Sequence, residues 1–229
     1  MADTPEGDYS EPVAAFGSQD NDGSFSQEQI ADDMLQSVFG DRMAKAKQYH
    51  EMLAGRAVEW GLLGPRESER LWCRHILNCA AVEALIDPGA SVVDIGSGAG
   101  LPGIPLALAR PDLKVTLLES LLRRATFLQL AVDELGLTGQ VDVVRARAEE
   151  TTTRYDVVVA RAVAPLAKLV GWCAPLTKGS ILAIKGERAY EDLEDARKVL
   201  RDLRLTGSVV QLQVGSGCSE TSVVVVKRA

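Results

Sequence analysis

From Ser91 onward, short apolar runs alternate with amphipathic stretches. β-Branched or aliphatic runs at 91–95, 113–118, 140–145, 155–160, 179–185, 207–213 and 221–227 predict seven strands. Helices are predicted between the first five and after the fifth, at 103–110, 121–135, 165–174 and 188–203. The stretch 121–135 has the clearest helical period. Leu121, Ala125, Leu128, Val132 and Leu135 share one face, and Gly136 ends it. Strand–helix alternation predicts a doubly wound, mostly parallel sheet. Only a loop near Gly215-Ser216-Gly217 separates the last two runs, so the final strand is expected to pair antiparallel.

Upstream, the pattern is helical. Ser26 and Gln29 have the spacing of a capping box, and helices are predicted from residue 27 to Arg56 with a break near Gly40. Phe39, Met43, Tyr49 and Leu53 mark the buried side. Between Pro65 and Ile86, Leu71, His75, Asn78, Val82 and Ile86 fall on one stripe, while Arg66, Arg70 and Arg74 recur every fourth residue on another. That basic stripe suits either phosphates or a solvated face paired with Glu67 and Glu69. His75, on the apolar stripe, reads as a hydrogen-bonded core histidine. Residues 1–25, rich in Asp, Glu, Ser, Gly and Pro, read as disordered. The chain is thus expected to comprise an acidic tail (1–25), a helical extension (26–88) and a Rossmann-like domain (89–229).

Charge changes this picture in one respect. The net charge is −7, but residues 1–33 carry nine acidic residues and no Lys or Arg, so residues 34–229 carry −7 + 9 = +2. A slightly basic body permits contact with a polyanion. Cys73, Cys79, Cys173 and Cys218 form no C-x-x-C pair and read as reduced, buried thiols rather than a metal site or disulfide. No secretory signal opens the sequence, and no apolar run approaches the length of a membrane span, so a cytoplasmic, non-membrane protein without metal is expected.

The chemistry concentrates at Asp94-Ile95-Gly96-Ser97-Gly98-Ala99-Gly100-Leu101-Pro102-Gly103. A strand ending in an acid, then alternating glycines, then a helix start, is an arrangement that holds nucleotide-like ligands. Two motifs overlap. Gly98, Gly100 and Gly103 fit the dinucleotide fingerprint, with Glu119 about 20 residues on, where a ribose-binding acid belongs. Gly96, Gly98 and Gly100 fit the acidic-x-G-x-G-x-G loop of S-adenosylmethionine enzymes. Asp94 favours the second, because a carboxylate there would repel a pyrophosphate yet attract the ammonium end of a methionine moiety. The antiparallel last strand also matches class I methyltransferases and not nucleotide dehydrogenases. An NAD-dependent oxidoreductase and a non-catalytic RNA-binding assembly factor are the rival readings.

Ligands of such sheets lie beyond the carboxyl ends of the strands. Glu119 closes the second strand and is placed to accept ribose hydroxyls. Arg147-Ala148-Glu149 follows the third, where adenine contacts and an exposed charged loop are equally good readings. Arg161 and Lys185 close the fourth and fifth strands. Salt bridges could account for either alone; together, beside a cofactor crevice, they suggest an electron-rich or anionic substrate. No N-P-P-Y-type motif follows the fourth strand, and no Cys lies there to attack a pyrimidine. A substrate needing neither base nor nucleophile is an sp² nitrogen with an in-plane lone pair, such as guanine N7. Methyl transfer to it relies on positioning. A cation donating to guanine O6 or a phosphate would orient the base, whereas donation to N7 would block it.

Taken together, His75-Ile76-Leu77-Asn78, the loop from Asp94 through Leu101-Pro102-Gly103-Ile104-Pro105, Glu119-Ser120, Arg161-Ala162 and Lys185-Gly186 resemble the RsmG (GidB) family of bacterial methyltransferases, over roughly residues 35–227. The resemblance implies a class I S-adenosylmethionine-dependent fold: α/β, seven-stranded, mostly parallel with an antiparallel last strand, plus a small N-terminal helical extension. It implies methyl transfer to guanine N7 of 16S ribosomal RNA in the small subunit, and a monomer is expected. The cofactor would touch Asp94, Gly96, Gly98, Leu101, Glu119, Ala148, Glu149 and Arg161. Arg161 and Lys185 would face the base or its phosphate as the catalytic pair. Asn78 stands where many members carry Asp, which weakens any catalytic role for that position, and the acidic tail is extra.

Overall fold

A computed structural model describes residues 32–213 and 218–229. The expected tail disorder, the capping box at Ser26 and the loop at Gly215-Ser216-Gly217 lie outside the described residues. Seven strands form one sheet: β1 (Ser91–Ile95), β2 (Lys114–Leu118), β3 (Val141–Val144), β4 (Tyr155–Arg161), β5 (Thr177–Lys185), β6 (Leu205–Leu212) and β7 (Thr221–Arg228). Their order is β3-β2-β1-β4-β5-β7-β6. β1 to β5 pair in parallel, and β7 runs antiparallel to both β5 and β6. The hairpin brings the last strand back between β5 and β6, antiparallel to its neighbour as its helix-free connection predicts. The strand order reverses between β1 and β4, which opens a crevice at their carboxyl ends.

Strand residues alternate between two apolar layers. Val92, Val115, Leu117, Val157, Val159, Leu182 and Ile184 pack on one face with the N-terminal helices, α4 (Gly103–Ala109) and α5 (Leu122–Glu134). Val93, Ile95, Val158, Ala160, Ile181 and Ala183 pack on the other with α6 (Leu166–Cys173) and α7 (Ala189–Asp202). Every strand of the central parallel group is covered on both sides, which is why those runs read as continuously apolar.

From Asp32, where description of the helical extension begins, its geometry is not uniformly α-helical. α1 (Asp32–Phe39) and α2 (Met43–Met52) flank a 3₁₀ turn at Gly40–Arg42, and α2 passes into a π-helical stretch at Leu53–Ala57. The second run is a 3₁₀ turn (Pro65–Arg70), a π-helical segment (Leu71–Leu77), the short α3 (Asn78–Ala80) and a 3₁₀ turn (Ala81–Leu85). Of the apolar stripe, Leu71, His75, Val82 and Ile86 are buried and Asn78 is half-buried. Leu121 departs from its expected place. It precedes the first turn of α5 and is exposed, since its extended backbone turns it off the helix face. Two cysteines also depart from expectation. Cys73 and Cys218 form a disulfide joining the π-helical segment to the approach of β7, while Cys79 and Cys173 are free and buried. Their separation of 145 residues left no local spacing from which to read the pairing.

Candidate functional site

The loop after β1 is built by close approach. Gly96, Gly98 and Gly100 all adopt positive φ, and the Leu101–Pro102 peptide is cis. At Gly96 a Cβ would also come within 3.1 Å of the Val163 methyls, so no other residue fits there without strain. Gly103 answers a different constraint: a Cβ would collide with Leu117 and approach Asp94 Oδ2 to 2.9 Å. That space is filled instead by a hydrogen bond, Gly103 N–H donating to Asp94 Oδ2 at 3.0 Å. The extension braces the loop from outside, with the buried Tyr49 hydroxyl donating to the Ala99 carbonyl at 2.8 Å.

Asp94 therefore lies beneath the loop and not at its open mouth. It is wholly buried, because its position on β1 directs it to the same face as Val92, against the helices. Burial pushes its carboxyl up to about 7, the Gly103 bond opposes the shift, and the charge of Glu119 adds to it. Its second oxygen, Oδ1, is a buried acceptor without a partner among the described residues. Such an atom is costly unless a donor or cation reaches it.

Glu119 is nearly as buried and ties the loop to the next strand end. Its Oε2 accepts from Gly98 N–H at 3.1 Å, its Oε1 accepts from Leu121 N–H at 2.9 Å, and Arg124 stands 3.7 Å away. Each carboxylate oxygen keeps a further lone pair. Beside it, a cavity of about 160 Å³ lies across the ends of β1, β2 and β3. Ile95, Gly96, Leu118 and Ser120 line it from one side, Ala146, Arg147, Ala148 and Glu149 from another, and Val163 and Trp172 close it. The 3₁₀ turn Ala148–Glu150 that presents Ala148 is held by Glu150, whose carboxylate accepts from Arg147 N–H at 3.1 Å. Gly96, Ala148 and Glu149 thus meet at one cavity. Glu119 lies in sequence between the lining residues Leu118 and Ser120 and bonds Gly98, and Leu101 is buried in the loop. Val163, Trp172 and Ala146 carried no sequence signal of their own; the fold alone assembles them.

The two strand-end cations do not converge. Arg161 pairs in register with Ile184, so the next residue of β5, Lys185, points to the opposite face. Lys185 is mostly buried, donates to the Ala164 carbonyl at 3.3 Å and pairs with Asp192 of α7 at 3.1 Å. The period of two along β5 thus sets the two expected catalytic residues on opposite faces of the sheet. Arg161 instead faces the helices. Its Nη2 bonds His75 Nδ1 at 2.6 Å, and its Nη1 lies 3.2 Å from Cys79 Sγ. The next residue, Ala162, holds a φ of 53°, a left-handed conformation that costs a non-glycine residue about 1–2 kcal/mol and marks the turn as constrained.

The arginine stripe divides as well. Arg74 pairs with Glu67 at 3.4 Å on an exposed surface, and Arg66 and Arg70 are exposed. Among the described residues, no group of three or more His, Cys, Asp or Glu side chains could hold a metal ion, and no helix is long and apolar enough to cross a membrane.

Comparison with known proteins gives the family. The family model of GidB, rRNA small subunit methyltransferase G, matches residues 42–217. The chain belongs to that family. Its relatives include ribosomal RNA small subunit methyltransferase G of Mycolicibacterium smegmatis, 57% identical over 173 residues, covering 72% of this chain and 73% of that protein. The Thermobifida fusca protein of the same name is 51% identical over 202 residues, covering 86% and 84%. Among solved structures, M. jannaschii TYW2 in complex with AdoMet superposes with a TM-score of 0.54 at 17% identity, covering 69% of this chain and 78% of that one. Magnesium protoporphyrin IX methyltransferase from Synechocystis gives 0.51 at 19%, covering 86% and 90%. These two likenesses carry the fold. Membership of the GidB family makes the chain an rRNA methyltransferase and sets aside both the dehydrogenase reading and the non-catalytic one.

Proposed function

We propose that the chain transfers a methyl group from S-adenosylmethionine to N7 of a guanine in 16S ribosomal RNA of the small subunit, as a cytoplasmic, monomeric enzyme. The observation that carries this reading is the pairing of a cavity at the β1–β3 edge with a buried carboxylate on the other side of the glycine loop.

The residues suit the cofactor. Glu119, with lone pairs to spare on both oxygens, accepts ribose hydroxyls. Ala148, Glu149, Ala146 and Trp172 enclose the adenine. Gly96 and Gly98 admit the backbone's close approach, Leu101 backs the loop, and Asp94 supplies negative charge with one acceptor unfilled, which favours a cationic amino-acid end over a diphosphate. When bound, the cofactor supplies a methyl activated by its sulfonium charge.

What remains for the protein is to position the base and exclude water. A lone-pair nitrogen needs no proton removed, and His75, beside Arg161, is committed to hydrogen bonds on both ring nitrogens. Arg161 retains N–H groups without partners among the described residues. We assign them to an oxygen acceptor at the methyl-acceptor end, guanine O6 or a phosphate, leaving N7 unobstructed. Lys185 acts through the Ala164 carbonyl and Asp192, holding the turn that follows Arg161. The slightly basic body meets RNA phosphates, so RNA affinity falls as salt rises.

The test is incubation with labelled S-adenosylmethionine and small subunits from cells lacking this modification. Label on N7 of one 16S guanine is expected; label on another atom, or none, contradicts the assignment.

A further inference from the structure

Among the described residues, Arg161 is not held by a carboxylate, the usual partner of a half-buried guanidinium. It is held by a histidine that is itself held by an acid. His75 Nε2 lies 2.6 Å from Glu67 Oε2, and His75 Nδ1 lies 2.6 Å from Arg161 Nη2. A guanidinium can only donate, so Nδ1 must be the acceptor. The remaining ring proton therefore sits on Nε2 and is donated to Glu67. The three side chains form one directional chain in which only a single imidazole tautomer satisfies both ends.

We infer that Glu67 and His75 are positioning residues for the methyl-transfer site, fixing the Nε2–H tautomer so that a neutral ring orients the Arg161 guanidinium; this rests on the reading of Arg161 given above.

Three further observations support the inference. His75 is 5% exposed, so its ring is locked by surroundings and cannot rotate into solvent. Burial together with the adjacent charge of Arg161 brings its pKa down to about 4, which keeps the ring neutral and Nδ1 free to accept. His75 also lies in the π-helical segment Leu71–Leu77, a local irregularity that often marks a functional position. Glu67 sits apart from the crevice on the 3₁₀ turn Pro65–Arg70, half-exposed, and also meets Arg74 at 3.4 Å. A neutral histidine gives Arg161 direction without cancelling its charge, whereas a directly paired carboxylate would leave little field for an anionic or carbonyl acceptor. Cys79 Sγ and the His75 carbonyl, at 3.2 and 3.5 Å from Nη1, fix the plane of the guanidinium.

The experiment is a set of variants in the full chain: Glu67→Gln, His75→Asn, His75→Leu, Arg161→Ala, and Glu67→Gln with Arg161→Ala. Methyl-transfer rates are read beside S-adenosylhomocysteine affinity and Tm, with ¹⁵N NMR of the histidine ring nitrogens as the tautomer readout. His75→Asn keeps an acceptor close to the Nδ1 position, and His75→Leu removes it. The expected result is loss of kcat by about tenfold in Glu67→Gln and more in His75→Leu, on the scale of a lost hydrogen bond to a charged group. His75→Asn should recover part of that loss, and Glu67→Gln should add nothing once Arg161 is gone. Wild type should show a protonated Nε2 and a bare Nδ1. Should His75→Leu fail to fold, Glu67→Gln and the spectrum still decide. If Arg161→Ala abolishes turnover while Glu67→Gln and His75→Leu turn over like wild type, the positioning role is wrong and the site reading stands. A protonated Nδ1 overturns the positioning role as well. If Arg161→Ala itself keeps full activity, both are wrong.

Discussion

At the scale of single residues, Asp94 governs the account. Its type and position were legible as a strand-end acid before a glycine loop, but its orientation was not. Whether a strand-end side chain opens to the crevice or turns inward depends on the register of the whole sheet, which no local pattern carries. Turned inward, it answers to pH. Its carboxyl stands at about 7, above the 3.8 of an ordinary aspartate, and burial is the first cause. Protonation therefore stabilises the cofactor-free fold. That contribution is fully present below the unfolded value and is lost as pH rises through the folded one. The shift corresponds to roughly 4 kcal/mol. Asp94→Asn, a neutral isostere, should remove this dependence. Thermal melts between pH 5 and 8 are expected to show wild type losing stability relative to Asp94→Asn as pH rises, and parallel curves would contradict the raised carboxyl. Arg161 and Lys185 teach the same lesson. Both were visible as strand-end cations, yet the one-residue offset against β5 that sends them to opposite faces is a property of pairing.

At the scale of elements, the sheet was the most legible part. The apolar runs of β1, β2, β4 and β5 are covered on both faces and bounded by turns, so their periodicity competes with nothing. The helical extension was legible in extent and stripe, but its π and 3₁₀ stretches were not, because they arise where packing against the sheet and the loop overrides helical propensity. The element that matters most to function is the junction of β1, loop and α4. Gly103 stands there because Leu117 and Asp94 fill the space a side chain would need. Gly103→Ala is expected to destabilise by about 1–3 kcal/mol through overpacking, a fall in Tm of roughly 2–12 °C for a chain this long. It should also weaken S-adenosylhomocysteine binding by displacing the loop. An unchanged melting temperature would mean that α4 shifts freely and the loop is not held as described.

At the scale of the whole molecule, the extension and the sheet share one core, and the Cys73–Cys218 bridge ties the segment bearing His75 to the approach of β7. Reading the cysteines as free thiols holds for Cys79 and Cys173 and fails for Cys73 and Cys218, because only the fold brings residues 73 and 218 together. A link across 145 residues restrains the unfolded chain, by a loop-entropy estimate of up to about 5 kcal/mol. Melts with and without reductant should therefore differ, the reduced protein unfolding lower, and Cys73→Ser should abolish the difference. Identical melts would mean the pair contributes nothing to stability. The central claim is that the glycine loop joins an adenosine cavity to a buried negative charge. A crystal structure with S-adenosylhomocysteine tests it most directly. The account predicts the adenine among Ala148, Glu149 and Trp172, the ribose on Glu119, and the amino-acid end across Gly96 and Gly98 toward Asp94 and the helices. The ligand lying elsewhere, or its ribose bonded to a residue other than Glu119, would contradict it.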